Sequence, residues 1–177
     1  MEIVDSFLED VEKAESKLPP YYRDTLLPPG ALVVVSWRDV EVGNIAGAEK
    51  WFSLSEILEC PDLEPHHAEE LRGHVLLRSY NPPKRRWLAR NHALFQDWQA
   101  VTGRPLKTVP KRSPRAILGA FLKDVQVLAK TRIVNRRMDR ESREWVTTPK
   151  EEWYSVIDHI VKLEAGCPRV LQERRKK

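Results

Sequence analysis

Glycine and cysteine are both scarce. Seven glycines in 177 residues leave no Gly-rich loop of the kind that cradles phosphate, which argues against most nucleotide-binding folds. Two cysteines, Cys60 and Cys167, are too few for a disulfide scaffold and too distant in sequence for a paired metal knuckle, so both are expected as reduced thiols. There is no nucleophile elbow and no HExxH. No run approaches the roughly 18 consecutive apolar residues of a membrane span. The opening MEIVDSFLEDVEKAE is acidic where a secretory or mitochondrial leader is basic, so the expectation is an intracellular, cytoplasmic chain.

Enzyme signatures are equally thin. The spacing of Cys60, His66, His67 and His74 fits no zinc pattern, and neither a metal nor another cofactor is expected. Asp39 and Glu41 follow an apolar run as nuclease carboxylates do, but no lysine stands at the alternate position. The reading is therefore non-enzymatic, with a small metal-dependent nuclease as the minor alternative.

What the chain has is charge, unevenly placed. Residues 1–75 carry 6 Lys and Arg against 16 Asp and Glu, a net −10, whereas residues 76–177 carry 24 against 10, a net +14. A basic segment with interleaved aromatics suits a polyanion, and nucleic acid is the expected one. The acidic half repels phosphate and is expected to contact a protein partner or to mask the basic surface. This divides the chain into an acidic region 1–75, a basic nucleic-acid-binding domain 76–166 and a basic tail 167–177.

Periodicity fills in the elements. Ile3, Val4, Phe7, Leu8, Val11, Ala14 and Leu18 recur at helical spacing, predicting an amphipathic helix over 2–18 that Pro19 and Pro20 end. The β-branched run at 32–37 predicts a buried strand, paired with 40–42. Ser53 and Glu56 form a capping-box pattern for a short helix to about Glu59. Pro65 to Leu71 predicts another helix, and 74–80 a second strand. Trp87, Leu88, Leu94, Phe95, Trp98 and Val101 share a helical stripe stopped by Gly103, and core packing is the favoured role for Trp87 and Trp98. GRPLKTVPKRSPR at 103–115 holds three prolines and five basic residues and reads as an exposed connection. Ser113 and Pro114 open a helix that faces Ile117, Leu118, Phe121, Leu122, Val125 and Leu128 to a core. Residues 131–148 predict a charged β-hairpin, and Thr148 to Glu151 caps a final helix burying Trp153, Val156, Ile157, Ile160 and Val161 up to Gly166. The expected fold is thus α+β, predominantly helical: an acidic N-terminal helix with short strands, then a basic, winged-helix-like half.

That last description rests on a resemblance. Helix, basic connection, second helix and basic hairpin over residues 86–148 is an order that resembles winged helix-turn-helix nucleic-acid-binding domains, and FQDW–TG–RP is similar to the C-terminal winged helices of phage and virus primase-helicases. The connection from Gly103 to Arg112 departs from it, being long beside the 3–4-residue turn of a compact helix-turn-helix. The resemblance implies that Arg115, Lys123 and Gln126 read base edges while Arg136, Arg137, Arg140 and Arg143 touch phosphates.

The residues themselves make Lys84, Arg85, Arg86 and Arg90 backbone contacts, with Lys111 and Arg112 in the basic connection, because guanidinium groups bind phosphate bidentately and a neighbouring indole stacks on an unpaired base. Two modes of action remain open. One is a free-standing DNA- or RNA-binding protein. The other is a small subunit of a ribonucleoprotein assembly, of the CRISPR surveillance complex type or ribosome-associated, lining a nucleic-acid groove without reading sequence.

Overall fold

The structure, a computed structural model, describes residues 24–45, 47–139 and 141–169. Strand predominates. In chain order the elements are β1 (Leu32–Ile45), β2 (Ala48–Glu59), α1 (Pro65–Leu71), β3 (Val75–Tyr80), α2 (Ala93–Thr102), α3 (Pro114–Leu122), β4 (Gln126–Val134), β5 (Arg136–Met138), β6 (Trp145–Thr147), one 3-10 turn at Lys150–Glu152 and β7 (Tyr154–Ala165). No helix among the described residues is long and apolar enough to cross a membrane.

Five strands form one antiparallel sheet in the order β3-β2-β1-β4-β7, and β5 with β6 makes a separate hairpin. The sheet closes on itself. β3 and β7 lie on opposite edges yet touch, with Val156 beside Val75 and Leu77 at one level and Tyr80 and Ile160 meeting on Asp97 at another. The curl has a local cause: the β1–β2 ladder slips between Val34 and Val35 and between Trp37 and Asp39, and the β4–β7 ladder slips three times. Each extra residue bends its strand and adds twist. A three-stranded meander, a helical crossover and a hairpin whose first strand returns to β1 make up the connectivity of an OB-type Greek-key barrel.

The interior is filled from both sides. Val33, Val35, Ile57, Leu76, Tyr80, Ala129 and Ile157 point in from the strands and meet Leu94 and Trp98 of α2 and Leu118 and Phe121 of α3. Trp98 and Phe121 pack with ring centroids 5.0 Å apart. Ser113 caps α3 through its Oγ, which accepts from Ala116 N–H at 3.2 Å, and Gly103 stops α2 in the left-handed region at φ 70°.

The predominantly helical fold is corrected by this sheet. Strand β2 replaces the short helix expected to open at Ser53, and β7 replaces the final helix, of which only the 3-10 turn remains. The helix expected along Trp87 to Val101 starts at Ala93, and α3 ends at Leu122, so Val125 lies in the following turn and Leu128 on β4. The hairpin is shorter than 131–148, because residues 131–134 belong to β4, a central strand standing where a winged helix would pass directly into its wing. The 1–75 and 76–166 regions share the sheet, since β2 pairs with β3 across that boundary. Helix 2–18, and the tail beyond residue 169, lie outside the described residues.

Gly166 ends β7 at φ +90°, and a Cβ there would stand 2.7 Å from the Asp124 carbonyl oxygen. Gly166→Ala is expected to cost more than about 2 kcal/mol, from strain and clash together. Gly103→Ala, at φ +70° with nothing within 4 Å of the added Cβ, should cost less, about 1–2 kcal/mol from the left-handed backbone alone. Thermal denaturation checks both; equal melting points for the two variants would contradict the crowding at Gly166.

Candidate nucleic-acid interface

Two long connections meet beyond the end of β3. Residues 86–88 and 107–109 run antiparallel: Val109 N–H donates to the Arg86 carbonyl at 2.9 Å, Leu88 N–H to the Lys107 carbonyl at 3.3 Å, and Trp87 faces Thr108. Leu106 and Val109, both buried, and the half-buried Leu88 pin this pair of loops to the core. A short ladder with apolar anchors turns two irregular segments into a fixed surface.

That surface is basic. Lys84, Arg85, Arg86 and Arg90 come from the first loop, Arg104, Lys107, Lys111 and Arg112 from the second, and all eight are exposed. None of the eight side chains forms an ion pair with a described residue. Between residues 79 and 123 the only acidic residue is Asp97, and it is fully buried. An open hollow of about 310 Å³ is lined by Arg104, Pro105, Leu106, Lys107 and Thr108. Trp87 stands in the middle of the ladder at 72% exposure. The core role favoured for Trp87 is thereby corrected, whereas Trp98 does lie in the core.

The remaining candidates are distributed differently. Arg115 is held by Asp39, with Nε–Oδ1 2.9 Å and Nη2–Oδ2 3.2 Å. Lys123 follows the end of α3 and Gln126 opens β4, so these two and Arg115 do not share one helix face. On the hairpin, Arg136, Arg137 and Arg143 are exposed, Arg137 lies 4.0 Å from Glu152, and Trp145 is 59% exposed; Arg140 lies outside the described residues. Asp139 organises the hairpin tip by accepting from Glu141 N–H and Ser142 Oγ, both at 3.1 Å. By strand register the hairpin leaves from the end of the barrel where β4 finishes and β3 begins, opposite the end where β3 runs into Lys84. Arg104 and Lys107 were legible only as members of a basic connection. Nothing in the sequence showed that the connection folds back onto Arg86.

A cavity of about 10 Å³ lies among Val35, Trp37, Ser53, Ser55, Arg78 and Tyr80, space for about one water. The Trp37 Nε1 donor on its wall has no hydrogen-bond partner among the described residues. Beside it Asp97 of α2 closes the barrel: Oδ2 accepts from Tyr80 Oη at 2.6 Å and Arg78 Nε at 2.9 Å, and Oδ1 accepts from the Ile160 N–H at 3.1 Å. Burial first, then the Asp97 charge, pushes the Tyr80 hydroxyl well above its usual value near 10. Burial alone would lower Arg78, but Asp97 and Tyr80 hold it up.

The sign of the pH effect follows. A raised folded-state value means that the stability tied to neutral Tyr80 is complete below about pH 10 and is lost as pH rises further. Tyr80→Phe should be slightly less stable at neutral pH and should flatten the alkaline decline. Urea midpoints at pH 8 and pH 11 compare the two proteins, and identical declines would show that Tyr80 does not drive it.

Among the described residues no cluster of three or more His, Cys, Asp or Glu side chains gathers as a metal site. Cys60 is buried and Cys167 exposed, both free, with burial and then Asp62 raising the Cys60 thiol. No protein-family model, no curated protein and no solved structure matches this chain.

Proposed function

We propose that the chain binds single-stranded nucleic acid non-enzymatically, through the two basic loops that follow β3 and α2. The observation that carries this reading is Trp87, 72% exposed and fixed among eight cations that form no ion pair with a described residue. Exposing an indole has a hydrophobic cost, and a base stacked on it recovers that cost while the guanidinium groups follow the phosphates. In a duplex the bases are already stacked, and the indole gains nothing. OB-type barrels bind oligonucleotides in many cases on the face of their second and third strands and the loops joining strands one to two and four to five, so the analogy of fold extends to nucleic-acid binding in general and not to the two loops proposed here. The protein acts inside the cell, where Cys60 and Cys167 remain thiols.

Titration of the full chain with a labelled 12- to 15-nucleotide oligo-dT or oligo-rU, followed by anisotropy and tryptophan fluorescence, tests the proposal. Binding should be salt-dependent, should quench indole emission and should be weaker for a blunt duplex of equal length. Absence of binding at about 50 mM salt, where phosphate contacts are strongest, would refute it. A chain that binds only duplex would refute the stacking role of Trp87.

A further inference from the structure

The outward side of the barrel carries a second apolar cluster: Phe52 and Leu54 of β2, Val75 and Leu77 of β3 and Val156 of β7, each no more than 7% exposed. These residues alternate with Trp51, Ser53, Leu76 and Ile157, which face the interior, so they point away from the main core. A side chain on the outer face of a single sheet is buried only when something lies over it. Among the described residues the further apolar side chains packed on this cluster are Val134 and Tyr154.

We propose that the cover is the N-terminal segment of the same chain, residues 2–18, seated on the outer β2–β3–β7 face through Ile3, Val4, Phe7, Leu8 and Val11. The first support is position. The Thr25 carbonyl accepts from the Ser155 N–H at 2.8 Å, and Leu27 N–H donates to Ser155 Oγ at 2.8 Å. Residues 25–27 therefore run beside Ser155, the residue between Tyr154 and Val156 of the cluster. The chain N-terminal to Asp24 is thus delivered next to the apolar face.

The second support is length. Residues 19–23 reach at most about 17 Å when extended, and a helix over 2–18 is about 25 Å long, ample to cross three strands spaced about 4.8 Å apart. The third is charge. The segment's apolar stripe is backed by Glu2, Asp5, Glu9, Asp10, Glu12 and Glu15 against Lys13 and Lys17, and Val134 of the cluster leads directly to Arg136 and Arg137. Seated there, the acidic segment faces the basic hairpin and leaves the Lys84–Arg112 loops at the opposite end of the barrel open. The face is then an internal docking surface of this chain, and the inference stands independently of what the basic loops bind.

The test uses the full chain with p-benzoylphenylalanine in place of Leu77. Irradiation should join position 77 to a tryptic peptide from residues 1–23 within one chain. A cross-link between two chains, or one only to peptides beyond residue 23, would overturn the proposal. Phe7→Asp with Val11→Asp in the full chain provides a reading that does not depend on position 77. Bis-ANS fluorescence should rise several-fold while far-UV circular dichroism and cooperative melting persist. If Phe7→Asp/Val11→Asp binds no more dye than the parent, the segment does not cover this face.

Discussion

Asp97→Ala should remove a large part of the folding stability, about 3–5 kcal/mol of the roughly 5–15 kcal/mol that a domain possesses. The carboxylate is fully buried and satisfies three donors on two strands that no backbone ladder joins: Arg78 and Tyr80 on β3 and the Ile160 N–H on β7. Its loss leaves a guanidinium whose side chain is 12% exposed without a counter-charge, and leaves a buried hydroxyl and amide unpaired. Asp97→Asn keeps the shape but presents an amide to Arg78, so an intermediate loss is expected. Asp97→Leu combined with Arg78→Met should recover part of the stability, because removing both members of a buried pair is far milder than removing one. Urea denaturation of the four proteins gives the comparison. A loss below about 1 kcal/mol for Asp97→Ala would show that other contacts hold β3 against β7.

The same closure explains why the fold was only partly legible in the sequence. Strand β7 has Ile157, Ile160 and Leu163 facing the core at three-residue spacing, which in sequence imitates one side of a helix. The spacing arises from the slips in the β4–β7 ladder: Thr131 pairs with Ile157, Ala129 with Ile160 and Val127 with Leu163, so each bulge inserts one residue between inward positions. Periodicity reports which side chains share a face, and in a bulged barrel it loses the strand period of two. Its β-branched residues, Val156, Ile157, Ile160 and Val161, were the sounder signal. Strand β2 failed for another reason. Phe52-Ser53-Leu54-Ser55 does alternate with the strand period, but it is a short run with the serines turned inward and Phe52 and Leu54 outward, and the Ser53–Glu56 spacing was read as a cap instead.

Local chemistry fared better. Ser113 with Pro114, Gly103 and Gly166 all mark true ends of elements, although the element before Gly166 is a strand. The basic cluster at Lys84–Arg90 was visible as composition, and its four cations are exposed. The exposure of Trp87 was not visible, because α2 starts late. Its cap is His92, whose ring nitrogen accepts from Leu94 N–H at 3.1 Å, and histidine is an uncommon capping residue. The pairing of Arg86 with Val109 across more than twenty residues is a tertiary event with no local signature.

The second large effect concerns the basic loops. Changing Arg85, Arg86, Lys107 and Arg112 to alanine should leave the fold intact, since all four side chains are exposed and form no ion pair with a described residue, and should weaken single-strand binding about a thousandfold at 0.1 M salt. The estimate assumes one phosphate per cation and about 0.7 released counterions per phosphate on a single strand; four contacts then change log K by nearly 3 at that salt, and the salt slope falls by the same amount. Trp87→Ala should act differently, lowering affinity by about 1–3 kcal/mol with an unchanged salt slope, because stacking releases no counterions. Arg136→Ala with Arg143→Ala, at the far end of the barrel, should cost far less than the loop variant. Anisotropy titrations of these three variants at several salt concentrations separate the contributions. If the hairpin variant loses as much affinity as the loop variant, the strand crosses the whole barrel; if the loop variant binds like the parent, the surface around Trp87 is not the nucleic-acid interface.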